Sequence, residues 1–513
     1  MKYKLPTTWS IQQQAFIDWA VRGKGSCVLD AVAGSGKTTT ILAAATSMYG
    51  KTAMLAYNNK IGAELKSKLT DLDVAWDKVK AGTVHSFGLN ALTKTFGKPE
   101  VDENKVEKII HNLIAAELPH RQAQLLPFET IVKKLVSLAK QKAIGVLDRL
   151  HDVNAWRSII DHFDILDDDK GIDESNIDDI IALAIRVLKV SNTNVKIIDF
   201  DDMVYLPLVH PCKFFRYNNV FLDEAQDTNP ARRELVKRLL MPNGRLIAVG
   251  DQHQAIYGFT GADNDSLDII AREFNAVRMP LSVTYRCPKA VVDFARQWVS
   301  HIEFHANAND GLVSSMSFDD FVKLPLDSSY AVLCRNTKPL VEVAFNLIRR
   351  RIACKIEGRD IGKGLIKLAR RWKVKSLATY EERLVKFLSN QRANLSDKPR
   401  KLEVIEDQVE TLRVIIDQCR EEKKDTVDAI VEHIESMFAD DVRSVLTLSS
   451  IHKSKGREWD NVIWLDRFKT CPSKYATQAW MQAQEVNLQY VAATRAMKSL
   501  YDMESAVKPV QSA

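Results

Sequence analysis

The chain has 513 residues, 46% hydrophobic and 27% charged, which excludes disorder as the default and at usual domain sizes supplies roughly three to four units. Basic side chains outnumber acidic ones by 72 to 66, and the resulting net charge of +6 suits a polyanionic partner without identifying one. No run of about 18 apolar residues occurs and the start, MKYKLPTTWSIQQQ, has no apolar h-region, so neither a membrane span nor a secretory leader is expected.

Residues 26–31 (SCVLDA) form a short apolar run that stops in a glycine-bearing loop, and helix-compatible residues follow from 38 to 48. A second run at 52–57 (TAMLAY) leads into NNKIGAELKSKLT, and a third at 220–223 (VFLD) into EAQDTNPARRELVKRLL; RLIAVGD (245–251) makes a fourth. Short buried-type strands alternating with amphipathic helices predict an α/β parallel sheet. Between them, residues 96–196 carry a helical pattern with an acidic stretch and read as an insertion. The alternation resumes with VRMPLSV (277–283), AVLCRN (331–336), VLTLSS (445–450) and NVIWLD (461–466), which predicts a second α/β domain. It too is interrupted, by charged helical sequence over 361–441. The seven cysteines are scattered without CxxC spacing, which argues against a zinc or iron–sulfur centre and predicts reduced thiols. No tandem repeat, proline-rich linker or low-complexity segment occurs.

AVAGSGKTT joins the first strand to the first helix, where small residues let backbone N–H groups wrap a phosphate and the helix N-terminus adds positive potential. The loop comprises Ala31, Val32, Ala33, Gly34, Ser35, Gly36, Lys37, Thr38 and Thr39; Lys37 reaches the β/γ-phosphates and Thr38 holds Mg²⁺. Ala31 stands where the usual pattern has glycine. DEAQD (223–227) follows a strand, so Asp223 emerges at its carboxyl end and completes the Mg²⁺ shell, while Glu224 deprotonates the attacking water. Read alone, these acids are ordinary first-turn residues of the next helix; the phosphate loop gives them the chemical role.

With these sites stand LAYNNK (55–60), GTVHSFG (82–88), IDFDD (198–202), VGDQHQAIYGF (249–259), YRCP (285–288), AVLCRN, SSIHKSKGREWD (449–460) and LQYVAATRA (488–496). So long an ordered series, spanning both α/β domains, resembles the UvrD/Rep/PcrA family of superfamily 1 DNA helicases. The resemblance implies two RecA-like parallel-sheet P-loop domains, each interrupted by a helical insertion. The first spans 1–95 and 197–278 around an insertion at 96–196; the second spans 279–360 and 442–513 around a short insertion at 361–441.

It also implies roles. Gln13, within the triplet Gln12–Gln14, reads adenine; Tyr285 stacks on the base; Glu458 accepts from the ribose. Arg286 and Arg495 neutralise phosphate charge from the second domain, and Gln254 senses the γ-phosphate or the water. ATP gripped from both lobes then closes them, and hydrolysis releases them. Tyr257 and Phe259 in IYGF stack on bases, with Tyr57, Asn59, Lys60, Thr83, His85, Arg335, Asn336 and His452 as further DNA-contacting or coupling positions.

The implied activity is ATP-dependent, 3′-to-5′ movement on single-stranded DNA with duplex unwinding, using ATP and Mg²⁺. An ATP-driven remodeller that strips proteins from DNA, and a P-loop kinase acting on a small acceptor, are the competing readings. Single-stranded DNA and its junctions with duplex are the expected partners, with replication, repair or recombination proteins beside them. A monomer without DNA, in the cytoplasm of a bacterium or virus-infected cell, is expected. Two departures from the relatives stand out: Thr260 replaces their usual arginine, and the second insertion is short. Only 18 residues follow Arg495, too few for an additional C-terminal domain.

Overall fold

The computed structural model describes residues 2–75, 77–166, 172–258, 261–263, 265–395, 399–438 and 445–505. The chain divides into two compact units, one containing Met1–Val32 and Gly36–Leu281, the other the sequence from Ser282 onward.

Six strands build the sheet of the first unit: β1 (Cys27–Ala31), β2 (Thr52–Ala56), β3 (Val79–Thr83), β4 (Tyr217–Leu222), β5 (Leu240–Gly250) and β6 (Val277–Leu281). Their order is β3-β2-β4-β5-β1-β6 and every pairing is parallel. Leu29, Phe221 and Ile247 face a core with Phe16 and Ile41, whereas their neighbours Val28, Val220 and Leu246 face one with Leu235 and Ile270. Both faces are thus covered, which is why these strands read as continuous apolar runs. VRMPLSV was expected to open the second domain; instead Val277–Leu281 lies beside β1 in the first sheet, with Cys27 opposite Val277. A short buried run carries no signal for which sheet it joins.

Order matters for chemistry because β4, β5 and β1 are consecutive. The loops leaving their carboxyl ends hold DEAQD, GDQHQ and the phosphate loop, so three sequence-distant motifs emerge side by side.

The first helical insertion packs Lys105–Ala115, Glu129–Gln141, Val153–Phe163 and Ile177–Thr193 around a core that also takes in Leu92, Met203, Tyr205 and Leu206 of the flanking helices, with Trp156 fully buried. A two-strand ribbon, Glu100–Val101 with Ile197–Ile198, and buried charge anchor it. Lys105 reaches Asp202 at 2.6 Å, and Lys140 reaches Asp199 at 2.6 Å and Asp202 at 2.7 Å.

The second unit repeats the parallel design with β7 (Leu312–Met316), β8 (Tyr330–Cys334), β9 (Cys354–Glu357), β10 (Leu446–Ser450), β11 (Trp459–Leu465) and β12 (Ala496–Met503), ordered β7-β12-β11-β8-β10-β9. Its inserted helices, Arg359–Ala369, Leu377–Asn394, Pro399–Glu421 and Val427–Met437, have no separate core: Leu384, Leu412 and Ile430 pack in one cluster with Val332, Cys334 and Leu448 of the sheet. Asp407 on the long inserted helix accepts the amides of Thr337 and Lys338, capping helix Thr337–Arg349 from outside its own sequence. All seven cysteines are free thiols. Among the described residues no helix is long and apolar enough to cross a membrane.

Candidate nucleotide site and nucleic-acid contacts

Gly34 and Gly36 both adopt positive φ, 72° and 76°, so the loop after β1 turns where side chains with a Cβ are disfavoured. Gly36 is the N-cap of helix Lys37–Ser47 and no side chain caps it, which leaves the first-turn amides able to take an anion. That arrangement fits a nucleotide phosphate. Ala31, Val32, Ala33 and Ser35 are buried and Lys37, Thr38 and Thr39 half-buried. Of the glutamine triplet, Gln13 is the buried member; its side chain closes a capping box with Ser10, and a Cβ on Gly36 would lie 3.0 Å from its amide nitrogen. Geometry therefore selects Gln13 as the glutamine beside the phosphate loop.

Asp223 leaves the end of β4 almost wholly buried, and its carboxylate accepts the Glu224 amide at 3.0 Å. Burial, then the neighbouring Glu224 charge, pushes its pKa up to about 7, opposed by Lys37. A dry carboxylate of this kind suits a divalent cation. Glu224 sits at φ 51°, a left-handed conformation, with its carboxylate 3.7 Å from the Lys37 ammonium. Lys37, Asp223 and Glu224 are thus brought together.

Two residues that sequence reasoning passed over complete this arrangement. Gln226 donates through Nε2 to Glu224 Oε2 at 2.5 Å, and its Oε1 accepts the Asp251 amide at 3.1 Å. Asp251 in turn accepts from Gln254 Nε2 at 2.7 Å. The chain Glu224–Gln226–Asp251–Gln254 crosses from the β4 loop to the β5 loop. Both residues stood inside quoted motifs, but only the adjacency of β4 and β5 reveals the link.

In the second unit, Tyr285 is 43% exposed with its ring tilted against His305, centroids 4.8 Å apart, an open aromatic platform. Arg286 donates to Glu458 at 2.6 Å and to the Thr494 carbonyl at 3.3 Å. The residue expected to meet the ribose is therefore paired here with an arginine expected at phosphate. Arg495 is 1% exposed and donates to the carbonyls of Val491 and Arg457 at 2.9 and 3.1 Å.

Among the expected strand contacts, Asn59 and Lys60 are exposed, His85 and His452 half-buried. Tyr57 and Tyr257 stack on each other, centroids 5.8 Å apart and 9° between planes, and Arg232 covers Tyr57 at 5.2 Å. Arg232 is a further residue the sequence reading missed. Burial and the Arg232 charge hold the His85 pKa down at about 4. The Thr83 hydroxyl accepts the Ser86 amide and caps helix Val84–Phe96. Phe259 and Thr260 lie outside the described residues.

Arg335, expected as a strand-contacting or coupling residue, is held by carboxylates of its own unit. Its guanidinium donates to Glu485 at 2.8–2.9 Å, lies 3.4 Å from Glu403 on the inserted helix, and reaches the adjacent Asn336 side chain at 3.2 Å. An arginine held by two carboxylates inside a domain ties structure together, and nothing in the string LCRN announces those distant partners.

Residues 11–275 match the family model of the UvrD/REP helicase N-terminal domain, and residues 355–503 that of the UvrD-like helicase C-terminal domain. A probable DNA helicase II homolog of Mycoplasma genitalium is 24% identical over 352 residues, covering 62% of this chain and 45% of the relative. F-box DNA helicase protein 1 of Schizosaccharomyces pombe is 25% identical over 58% of this chain and 35% of its own length. ATP-dependent DNA helicase Rep of Buchnera aphidicola is 23% identical over 58% and 46%. The chain thus spans less than half the length of these relatives. With the N-terminal match alone covering more than half of the sequence and the sites above lying in its motifs, the chain belongs to the UvrD/Rep helicase family.

Proposed function

We propose that the chain is an ATP-dependent DNA helicase that moves 3′ to 5′ on single-stranded DNA and separates duplex strands, its turnover drawing on residues of both units. The observation that carries this reading is the Lys37–Glu224 pair at the carboxyl end of the first sheet, joined through Gln226 and Asp251 to the turn bearing Gln254 and Tyr257. A hydrolytic site and an aromatic track on one continuous chain of contacts are what a motor needs. The relatives' names, DNA helicase II homolog and DNA helicase Rep, support DNA as the polymer.

In this reading Glu224 accepts a proton from water as its oxygen attacks the γ-phosphorus and the bond to the bridging oxygen breaks, releasing ADP and phosphate. Lys37, Arg286 and Arg495 stabilise the charge on the phosphoryl oxygens. Thr38 and Asp223 would hold Mg²⁺, which supplies further neutralisation of that charge. Gln13 and Tyr285 position the base. The unit boundaries read from the sequence, cytoplasmic location, a monomeric resting state and replication or repair partners belong to the same proposal.

One observation favours a second reading, translocation that strips bound proteins without separating strands: the short second insertion is built into the core of its unit. ATPase rates with and without single-stranded DNA and RNA test the motor itself, and an unchanged rate would refute it. Unwinding of 3′- and 5′-tailed duplexes tests direction, and streptavidin displacement without fork unwinding would establish the second reading.

A further inference from the structure

Three segments meet at the amino-terminal end of the first sheet, a strand length of roughly 17–20 Å from the carboxyl ends that carry the nucleotide residues. They are residues 78–80 entering β3, residues 94–98 ending helix Val84–Phe96, and residues 210–216 entering β4. The Lys213 amide donates to Thr95 Oγ1 at 2.8 Å, fixing the second segment to the third. Phe215 stands 57% exposed at their junction, with the Lys94 ammonium 3.7 Å and the Lys80 ammonium 5.8 Å from its ring centroid.

These segments contain no aspartate or glutamate. Lys80, Lys94, Lys98, Lys213 and Arg216 make no salt bridge with any described carboxylate, although lysines elsewhere in this unit, such as Lys68, Lys133 and Lys142, are paired. Positive charge is therefore left without internal neutralisation around one solvent-facing aromatic ring. Ammonium groups spaced around a ring match the alternation of phosphate and base along a single strand.

We infer that this patch is a second binding surface for single-stranded nucleic acid, engaging the polymer outside the motif-lined track. The inference rests on the proposed motor reading for its choice of polyanion. The cations bind phosphates, and Phe215 offers its ring to a base in place of the lysine that covers it. Short oligomers that fill only the motif track do not need the patch, whereas longer ones reach it.

The test uses the full chain and fluorescein-labelled oligothymidylates of roughly thirty and roughly eight nucleotides, read by anisotropy across a salt series. A Lys94→Gln/Lys213→Gln variant is expected to bind the long oligomer roughly ten- to thirtyfold more weakly at 0.1 M salt, with the logarithmic salt slope smaller by about 1.4. Its affinity for the short oligomer, its melting temperature and its ATPase at saturating DNA stay unchanged. Phe215→Ala should weaken the long oligomer about fivefold or more while keeping the slope. Wild-type affinity and slope in the double variant would overturn the patch while leaving the motor reading intact if wild-type ATPase is DNA-stimulated. If the wild type ignores DNA and instead binds phosphatidylserine vesicles in a manner lost in the double variant, the surface is a lipid site and the nucleic-acid assignment falls.

Discussion

The Gln226 carboxamide holds the Glu224 carboxylate through its nitrogen, at 2.5 Å, while its oxygen accepts the backbone amide of Asp251 at 3.1 Å. The contact depends on Gly250, where a Cβ would lie 2.4 Å from that oxygen. A glutamine has one donor branch and one acceptor branch, so the two bonds fix its orientation. In the proposed reaction Glu224 takes a proton, which would weaken the charge-assisted bond to Gln226 and loosen the link to the turn carrying Gln254. Gln226→Leu is therefore expected to lower DNA-stimulated kcat about tenfold with KM for ATP little changed. Steady-state ATPase with and without oligothymidylate reads this split; a rise in KM alone would assign Gln226 to nucleotide binding.

The Lys37 ammonium lies 3.7 Å from the Glu224 carboxylate, and its loss removes charge from the place where phosphoryl oxygens are expected. Lys37→Ala should abolish ATP hydrolysis while single-stranded DNA affinity, measured by anisotropy, stays near wild type. Residual turnover above background would remove this lysine from the site.

Burial makes the charged form of Asp223 costly to the fold. Its folded-state pKa of about 7 lies above the ordinary 3.8, so between those values the folded chain holds a proton that the unfolded chain has released. Stability contributed by that proton is lost as pH rises through the window. Asp223→Asn should eliminate hydrolysis yet melt at a higher temperature than wild type at pH 8, with the advantage shrinking toward pH 4. Equal melting temperatures throughout would show that the carboxylate carries no burial penalty.

His85 has the opposite pH signature. Its imidazole stays neutral down to about pH 4, whereas the unfolded chain takes up a proton near 6.5. Stability is therefore lost as pH falls from 6.5 to 4, by up to about 3 kcal/mol. A urea-midpoint series should be flatter across that range in His85→Asn than in wild type.

Arg335 distinguishes a structural tie from a DNA contact. Removing one partner of a buried ion cluster typically costs about 3–5 kcal/mol, so Arg335→Ala should lower the thermal midpoint of the protein clearly. DNA affinity measured below that transition should be unchanged. A stable variant with weakened DNA binding would return Arg335 to the strand track.

Much of this architecture was legible because parallel strands buried on both faces announce themselves: CVLDA, TAMLA, VFL and LIAVG are all near-continuous apolar runs. Val79–Thr83 and Leu312–Met316 were less visible, since β3 and β7 are edge strands and carry Lys80, Ser314 and Ser315. The phosphate loop and DEAQD could be read directly, as local backbone demands shape both. What sequence could not disclose was partnership at a distance: Gln226 with Asp251, Arg335 with Glu485, Arg286 with Glu458. Each pairing depends on strand order or loop juxtaposition, which one-dimensional spacing does not encode.

The two insertions differ in how they can be edited. Cutting the first out at its ribbon would keep Trp156 in a cluster with Ile159, Ile160 and Ile181, but it would remove Leu92, Met203, Tyr205 and Leu206 from that cluster and part Lys105 and Lys140 from Asp202. Excising the second would strip the cover from Val332, Cys334 and Leu448 and leave helix Thr337–Arg349 without the carboxylate at its head. For protein engineering, removing the first insertion orphans buried carboxylates at Asp199 and Asp202, whereas removing the second uncovers a sheet.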